Sequence, residues 1–509
     1  MLNMRVFFSR ALLASALASV MLFSCKKDKS SSGDPDPGPD PVDSVATLTP
    51  LQKSLDTMYH IFTDVYLWTN AVPDSATLKP LSFNSPEALF DKMITYQKDD
   101  QGNNLDHYSF LDDGTVSGEI GEGKIGDMGF FIKYYYRDLP SVNYCYPGSP
   151  AYIKGVRRGW LIAKINGREA LDYDYAPYGN GDNVNFIVNA LNGSSANFTF
   201  IRDYSNPNDT VSMTISSQEY SIKPVLSDTV YNFSGRKIGY FCFNSFINAD
   251  LATPYLDPIF TKFSSEGVKQ VVVDLRYNGG GAVTTAEYLS NMLAPASVTG
   301  ANSVMYKETY GPKVNNKTMS AYSNSIKFQT NIGVITLPDL LYNWAFYNTT
   351  NYSKTNGLDL DNIIFIVTGS TASASELVIN NLKPYFNDRL KLVGDTTYGK
   401  PVGFMALPVS GYDMYAVSVQ NVNASNQGEY FHGFNPDITA FDDVRFNFAD
   451  TREESIAKAL IQLGVSQAEL GRKANIERRT TRLMPTKIDR LGEHGFKGLL
   501  LNPNDLRKQ

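Results

Sequence analysis

The sequence predicts an α/β protein of several domains, with a helical N-terminal part, a β-rich module and an α/β core. Three observations carry that prediction. At 509 residues the chain exceeds what one hydrophobic core organises. Near its start, Leu51, Leu55, Met58, Ile61, Phe62 and Val65 recur at helical spacing. From Lys237 to about Leu463, short apolar runs rich in β-branched residues alternate with helical segments, which is the pattern of strands joined through helices.

The first 25 residues read as an address. Arg5 and Arg10 supply positive charge, and the mostly apolar stretch Ala11 to Phe23 is too short for a comfortable membrane span. A secretory signal fits better than a transmembrane helix. Leu22-Phe23-Ser24-Cys25 resembles the lipobox of bacterial lipoproteins. That resemblance implies lipidation of Cys25, a membrane contact through the lipid anchor, and a place in the cell envelope at the outer membrane, on its periplasmic or surface face. Residues 26–46 are rich in Lys, Ser, Pro, Gly and Asp, bury too little apolar surface to fold, and read as a tether.

Composition narrows the function classes. A net charge of −6 leaves no basic stripe, so nucleic acid is a poor partner. Three cysteines make no disulfide framework. Cys145 and Cys242 sit in apolar runs and read as small buried hydrophobes, with a disulfide between them as the alternative. There is no His-x-x-x-His pair, no closely spaced Cys/His set and no Gly-rich phosphate loop, so no metal and no cofactor is expected.

Residues 47–115 form the helical N-terminal part, with a second helix expected over Pro86 to Tyr96 and an end near Asp106-His107-Tyr108-Ser109. In residues 116–225, an apolar strand begins at Gly129-Phe130-Phe131-Ile132. Ser149-Pro150-Ala151-Tyr152 then opens a short helix, and Trp160 to Ile165 reads as a strand closed by an Asn166-Gly167 hairpin signal. This run closely resembles PDZ domains of bacterial proteases. The resemblance implies capture of peptide C-termini by strand addition, with Met128, Gly129 and Phe130, after Asp127, as the carboxylate-binding loop. A β-module that only spaces domains is the plainer alternative.

In residues 226–463, Ile238 to Phe243, Val268 to Leu275 and Ile363 to Val367 read as strands. Helices are expected from Pro254 to Ser265 and from about Ser373. The stretch 297–359 is polar, aromatic and poorly periodic, and reads as an insertion of undefined structure. Residues 464–509 form a basic tail, with ten Lys or Arg against five Asp or Glu. A docked or frayed tail is the plain reading, and a partner or membrane contact the sharper one.

Three segments carry chemistry. Ser370-Thr371-Ala372-Ser373-Ala374-Ser375-Glu376 follows a buried strand and leads into a helix. Such a turn can expose a nucleophile beside free helix N–H groups, although serines there serve equally as N-caps. Thr397-Tyr398-Gly399-Lys400 offers a base, since a lysine can accept a proton once burial lowers its pKa. Asp274-Leu275-Arg276-Tyr277-Asn278-Gly279-Gly280-Gly281 can present backbone N–H groups at a strand end, or be only a tight turn.

Together these segments resemble the C-terminal processing peptidases, also called tail-specific proteases, over most of the chain. Asp106 to Ser109 is similar to the family's Asp-Pro-Tyr-Ser element. Ile238-Gly239-Tyr240 with Phe246 is similar to its first core strand. Gly433-Phe434-Asn435-Pro436-Asp437 is similar to its later Gly-x-x-Pro-Asp. The resemblance implies a ClpP- or crotonase-like ββα peptidase core and a serine endopeptidase acting on protein or peptide substrates held by their C-termini. It further implies Ser373 as nucleophile, Lys400 as general base, and an oxyanion hole from the N–H groups of Gly280 and Ala374.

The family's usual spacing back from Lys400 falls on Ser375 instead of Ser373. The local motif is followed here, because a helix-to-strand loop takes insertions more easily than the nucleophile's turn. Many members carry a glutamine four residues after the lysine, where this chain has Phe404. The alternative is a catalytically silent peptide- or apolar-ligand-binding lipoprotein on the same fold.

Overall fold

Residues 48–112, 115–135, 137–298, 303–330, 333–470 and 498–501 are described by a computed structural model. The secretory signal, the tether and Cys25 lie outside them. The first helix, Pro50–Val65, starts where its sequence says it should. Thr49 and Gln52 form a capping box, and Pro50 occupies the first turn, where its missing N–H costs nothing. Its inner face buries Leu55, Met58, Ile61, Phe62 and Val65, while Leu51 is left exposed. The helix expected over Pro86 to Tyr96 ends at Met93, after which Thr95 and Tyr96 tighten into three-residue turns.

The β-rich module is an antiparallel five-stranded sheet in the order Phe130–Lys133, Ser141–Cys145, Leu161–Ile165, Ser195–Asp203, Asn206–Ser216. Asn166 and Gly167 both take positive φ, and Arg168 N–H donates back to the Ile165 carbonyl, closing a two-residue hairpin. The module has its own core, in which Ile132, Val142, Ile162, Ile187, Phe198 and Phe200 are fully buried. The helix Asp182–Leu191 contributes to it.

The α/β core is a six-stranded sheet in the order Ile438–Thr439, Leu390–Gly394, Asn362–Val367, Gln270–Asp274, Arg236–Phe243, Val225–Phe233. Every pairing is parallel except the last, so both faces must be covered. Alternate residues do point to opposite faces. Val271, Val273, Ile363 and Phe365 meet the helices Ala249–Ser265 and Ala374–Phe386. Val272, Ile364, Ile366 and Val393 meet Ile456 and Leu460 of the helix Glu454–Gln462.

Ala249–Ser265 begins before the expected Pro254, because Pro254 and Pro258 both lie inside it. Burial of Leu256, Phe260 and Phe263 offsets the backbone bonds those prolines cannot make. Cys145 and Cys242 are free thiols, so the disulfide alternative is not realised. Among the described residues no helix is long and apolar enough to cross a membrane.

The described residues of the stretch 297–359 form regular elements. Val304–Tyr310 pairs antiparallel with Thr349–Asn351 on one side and with Val419–Asn423 on the other. Lys327–Thr330 and Gly333–Thr336 form a hairpin, and Leu337–Phe346 is a helix that buries Leu340, Leu341 and Trp344. Beyond Gln462, Val465 and Leu470 pack into the core, and Gly498–Leu500 is a strand paired in parallel with Gly280–Ala282.

A buried ionic cluster ties the two sheets together. Arg276 bonds Asp274, Asp442 (2.8 Å) and Glu453 (3.1 Å). Arg158, from the five-stranded module, reaches the same Asp442 oxygen at 2.9 Å. The other Asp442 oxygen accepts from the hydroxyls of Tyr135 (2.6 Å) and Tyr277 (2.7 Å). Burial alone would raise the Asp442 pKa, but Arg158 and Arg276 overcome it and hold the carboxyl far below its ordinary range. Removing that carboxylate leaves two buried guanidinium groups short of a partner. Asp442→Ala is therefore expected to cost about 3–5 kcal/mol, read as a fall in the urea midpoint.

Candidate active site

The strand Asn362–Val367 ends in a turn that is stitched to the Asp274–Asn278 segment. The Thr371 hydroxyl donates to the Leu275 carbonyl at 2.8 Å, the Thr368 hydroxyl to the Arg276 carbonyl, and Ala372 N–H to the Asn278 carbonyl at 3.1 Å. The turn delivers Ser373 immediately before the helix Ala374–Phe386, with φ 58° and ψ −108°. A non-glycine residue in that region is strained by about 1–3 kcal/mol and persists only where its surroundings over-determine it.

The two candidate serines differ in their hydroxyls. Ser375 donates to the Asn278 carbonyl at 3.1 Å. The Ser373 hydroxyl is 1% exposed in its residue and has no hydrogen-bond partner among the described residues. Ala374 opens the helix, so its N–H has no partner within it.

Glu376 joins this turn to the lysine segment. One carboxylate oxygen accepts from the Ser373 N–H (2.8 Å) and the Lys400 N–H (2.9 Å). The other accepts from the Gly399 N–H (2.7 Å) and the Thr397 hydroxyl (2.6 Å). Burial raises the Glu376 pKa, while these four donors act in the opposite direction. Gly399, at φ 90°, must be glycine, since a Cβ there would lie 2.5 Å from the Phe431 carbonyl oxygen and the Gly433 nitrogen.

Lys400 is buried between aromatic rings. Its Nζ lies 3.8 Å from the Phe404 ring centroid and 5.5 Å from that of Tyr108. Burial lowers its pKa well below the ordinary 10.5, outweighing the pull of Asp106 and Glu376 toward the charged form. Phe404 is held by Phe110 and Tyr415 at centroid distances of 5.6 and 5.3 Å. Tyr108 donates to the Gly399 carbonyl at 2.6 Å. It is presented by Asp106, whose carboxylate accepts from the Tyr108 and Ser109 N–H groups and from the Ser109 and Tyr66 hydroxyls. The element Asp106 to Ser109 thus builds one wall of the lysine pocket.

The structure therefore brings Ser373, Ala374 and Lys400 to one place, with the Gly280 loop beside them. Gly280 N–H is engaged, donating to Asn278 Oδ1 at 2.9 Å. Met128, Gly129 and Phe130 belong to the other core. There Gly129 N–H donates to Asp127 at 2.6 Å, and its carbonyl accepts from Ser149 and the Tyr146 N–H. Sequence reasoning missed Glu376 as the link, and Tyr108 as a wall. Glu376 lies three positions after Ser373, the capping-box spacing, and that was the available signal for the first.

The buried lysine has a thermodynamic sign. Its folded-state pKa lies below its unfolded value, so between the two the unfolded chain binds more protons and stability rises with pH. Below that window the burial penalty is felt in full, at about 1.4 kcal/mol per pKa unit. Lys400→Met is expected to raise the melting temperature at pH 7. The gain over wild type should shrink as pH climbs toward 10, which melts across pH 6–10 measure.

Comparison with known proteins points to one family. Residues 237–440 match the model of peptidase family S41, and residues 56–110 match the S41 N-terminal domain. The chloroplastic C-terminal processing peptidase of Tetradesmus obliquus is 24% identical over 285 residues, which are 54% of this chain and 50% of that protein. The chain thus spans about half the length of this curated relative. A crystal structure from Bacteroides fragilis, assigned to the S41 proteases, shares the fold with a TM-score of 0.56 and 24% identity, covering 80% of this chain and 97% of the other. The chain belongs to peptidase family S41.

Proposed function

We propose that this chain is a serine endopeptidase of the C-terminal processing type, with Ser373 as nucleophile and Lys400 as general base. The observation that carries the reading is the Glu376 carboxylate, one oxygen of which holds both the Ser373 and the Lys400 backbone N–H. It fixes a strained serine with an unbonded hydroxyl beside a lysine whose burial favours the neutral amine. Ser375, whose hydroxyl is engaged, fits a structural role.

In this mechanism neutral Lys400 Nζ removes the Ser373 hydroxyl proton as Oγ attacks the scissile carbonyl. The oxyanion forms against the Ala374 N–H and a glycine N–H of the Gly279-Gly280 turn. For Gly280 to serve, its N–H must be shared with or released by Asn278. Lys400 then gives the proton to the departing amine as the C–N bond breaks, and water, deprotonated by the same lysine, clears the acyl-enzyme. In place of the family's glutamine, the Phe404 ring keeps water from the amine and positions it by a cation–π contact when it is charged.

The five-stranded module fits a PDZ-like peptide-binding role, because Phe130–Lys133 is an edge strand of its sheet and offers a place for strand addition. Anchoring through Cys25 is part of the same proposal and is checked by mass spectrometry of the mature N-terminal peptide.

Ser373→Ala is expected to lower cleavage of an unstructured peptide by at least about 10³-fold with an unchanged melting temperature. Ser375→Ala should retain activity within about tenfold. An active Ser373→Ala with an inactive Ser375→Ala would reverse the assignment. No cleavage by the wild type across a broad peptide set would favour the binding-protein reading. The rising limb of the kcat/KM–pH profile should have its midpoint well below 10.5. In Phe404→Ala, where water enters the pocket, that limb should move to higher pH.

A further inference from the structure

The strand Gly280–Ala282 begins at the candidate oxyanion glycine and has two edges. One is closed by Phe246, whose N–H donates to the Gly280 carbonyl at 3.1 Å and whose carbonyl accepts from the Ala282 N–H at 2.7 Å. The approach is so close that a Cβ on Gly281, at φ 136°, would lie 2.2 Å from the Phe246 oxygen. The other edge carries the chain's own C-terminal strand, in parallel register Gly280↔Gly498, Gly281↔Leu499 and Ala282↔Leu500. One residue on, Leu501 N–H donates to the Phe404 carbonyl at 3.2 Å, and Leu501 is buried with the main core.

The C-terminal strand thus lies between two walls. One is the strand that starts at Gly280. The other is the backbone just after Lys400, where Val402–Gly403 also pairs with Val419 and Gln420. A peptide to be cut by Ser373 must place its carbonyl against the Gly280 and Ala374 N–H groups, and extended peptides dock by adding to an available strand edge. With Phe246 on the opposite edge, the edge taken by Gly498–Leu500 is the one a substrate would use.

We propose that Gly498–Leu501 is a built-in occupant of the substrate groove that keeps the enzyme latent, and that peptide substrates bind by displacing it. The inference rests on the serine-peptidase reading of the same site. Two independent features fit it. Ser373 and Lys400 are each only 1% exposed, and the Gly280 N–H is held by Asn278, as expected of a groove at rest. The contact is also short, three paired residues and one apolar anchor, so it suits a segment that must be exchangeable. As part of the chain it competes at a high effective concentration, and the apparent affinity for substrate falls by the fraction of open molecules.

The test uses the full chain, a chain ending at Leu470, and Leu501→Asp in the full chain, each also in a Ser373→Ala background. Two readouts are needed: kcat/KM on a fluorogenic peptide, and the Kd of a fluorescein-labelled form of that peptide for the Ser373→Ala proteins by anisotropy, which requires no chemistry. Both tail variants are expected to raise kcat/KM at least about tenfold, chiefly through KM, and to tighten Kd by the same factor. A synthetic peptide of residues 494–509 should compete against the shortened chain.

If the shortened chain fails to fold, Leu501→Asp carries the test alone. Unchanged or weaker binding and turnover in a folded Leu501→Asp, with no competition by the synthetic peptide, overturns the inference even where the wild type cleaves. Tightened binding with no cleavage by any variant would keep the groove assignment and reject the peptidase reading.

Discussion

The site depends on one buried carboxylate. Glu376 gathers four donors from two segments that are neighbours only through folding, the Ser373 turn and the Thr397 to Lys400 loop. Burying a carboxylate is expensive unless its lone pairs are satisfied, and here both oxygens are. The same satisfaction makes the arrangement stiff. Ser373 cannot relax from its positive φ without giving up its N–H bond to Glu376, and the lysine loop cannot drift without giving up three more. The Thr397 hydroxyl extends the link, since it also accepts from the Phe434 N–H and so ties the site to the Gly433–Asp437 turn.

A second buried network sets the other half of the site. Arg276 lies between Asp274, Asp442 and Glu453, two residues before Asn278, whose side chain bonds both the Phe243 carbonyl and the Gly280 N–H. Arg158 joins the network from the five-stranded module through Asp442, and also donates to the Phe446 carbonyl at 2.9 Å. The position of the glycine turn is therefore coupled, through charged contacts that exclude water, to the placement of the module.

Much of this was legible in the sequence where the signal is local. The strands at Ile238, Val271 and Ile363 are continuous apolar runs, and the glycine turn, the serine turn and the lysine loop are each written in a few adjacent residues. What was not legible depends on distant partners. Val304–Tyr310 becomes a strand because Val419–Asn423 completes its ladder, and neither segment announces the other. Phe404 read as a departure from a polar pattern, whereas in place it is one wall of a pocket whose other wall is Tyr108. The tail read as basic and either docked or frayed, and its composition could not name the partner strand Gly280–Ala282 on which Gly498–Leu500 pairs. Pro254 misled in the opposite sense, marking a helix start that packing overrode.

The aromatic pocket around Lys400 works in two directions. Removing water from the amine favours its neutral form, while the faces of Phe404 and Tyr108 favour the cation, the form it would take on accepting a proton as the proposed base. A glutamine would stabilise the charged lysine through a directed hydrogen bond but would bring a polar group that itself needs a partner. The ring avoids that second requirement and transfers the burden to shape, since Phe404 must stay fixed between Phe110 and Tyr415. That fixity is also what gives the Phe404 carbonyl a constant position on the groove wall, where Leu501 N–H now reaches it. On the proposed reading, the residue that tunes the base from one side also shapes the substrate groove from the other. A change there that alters the lysine must also alter what the groove can hold.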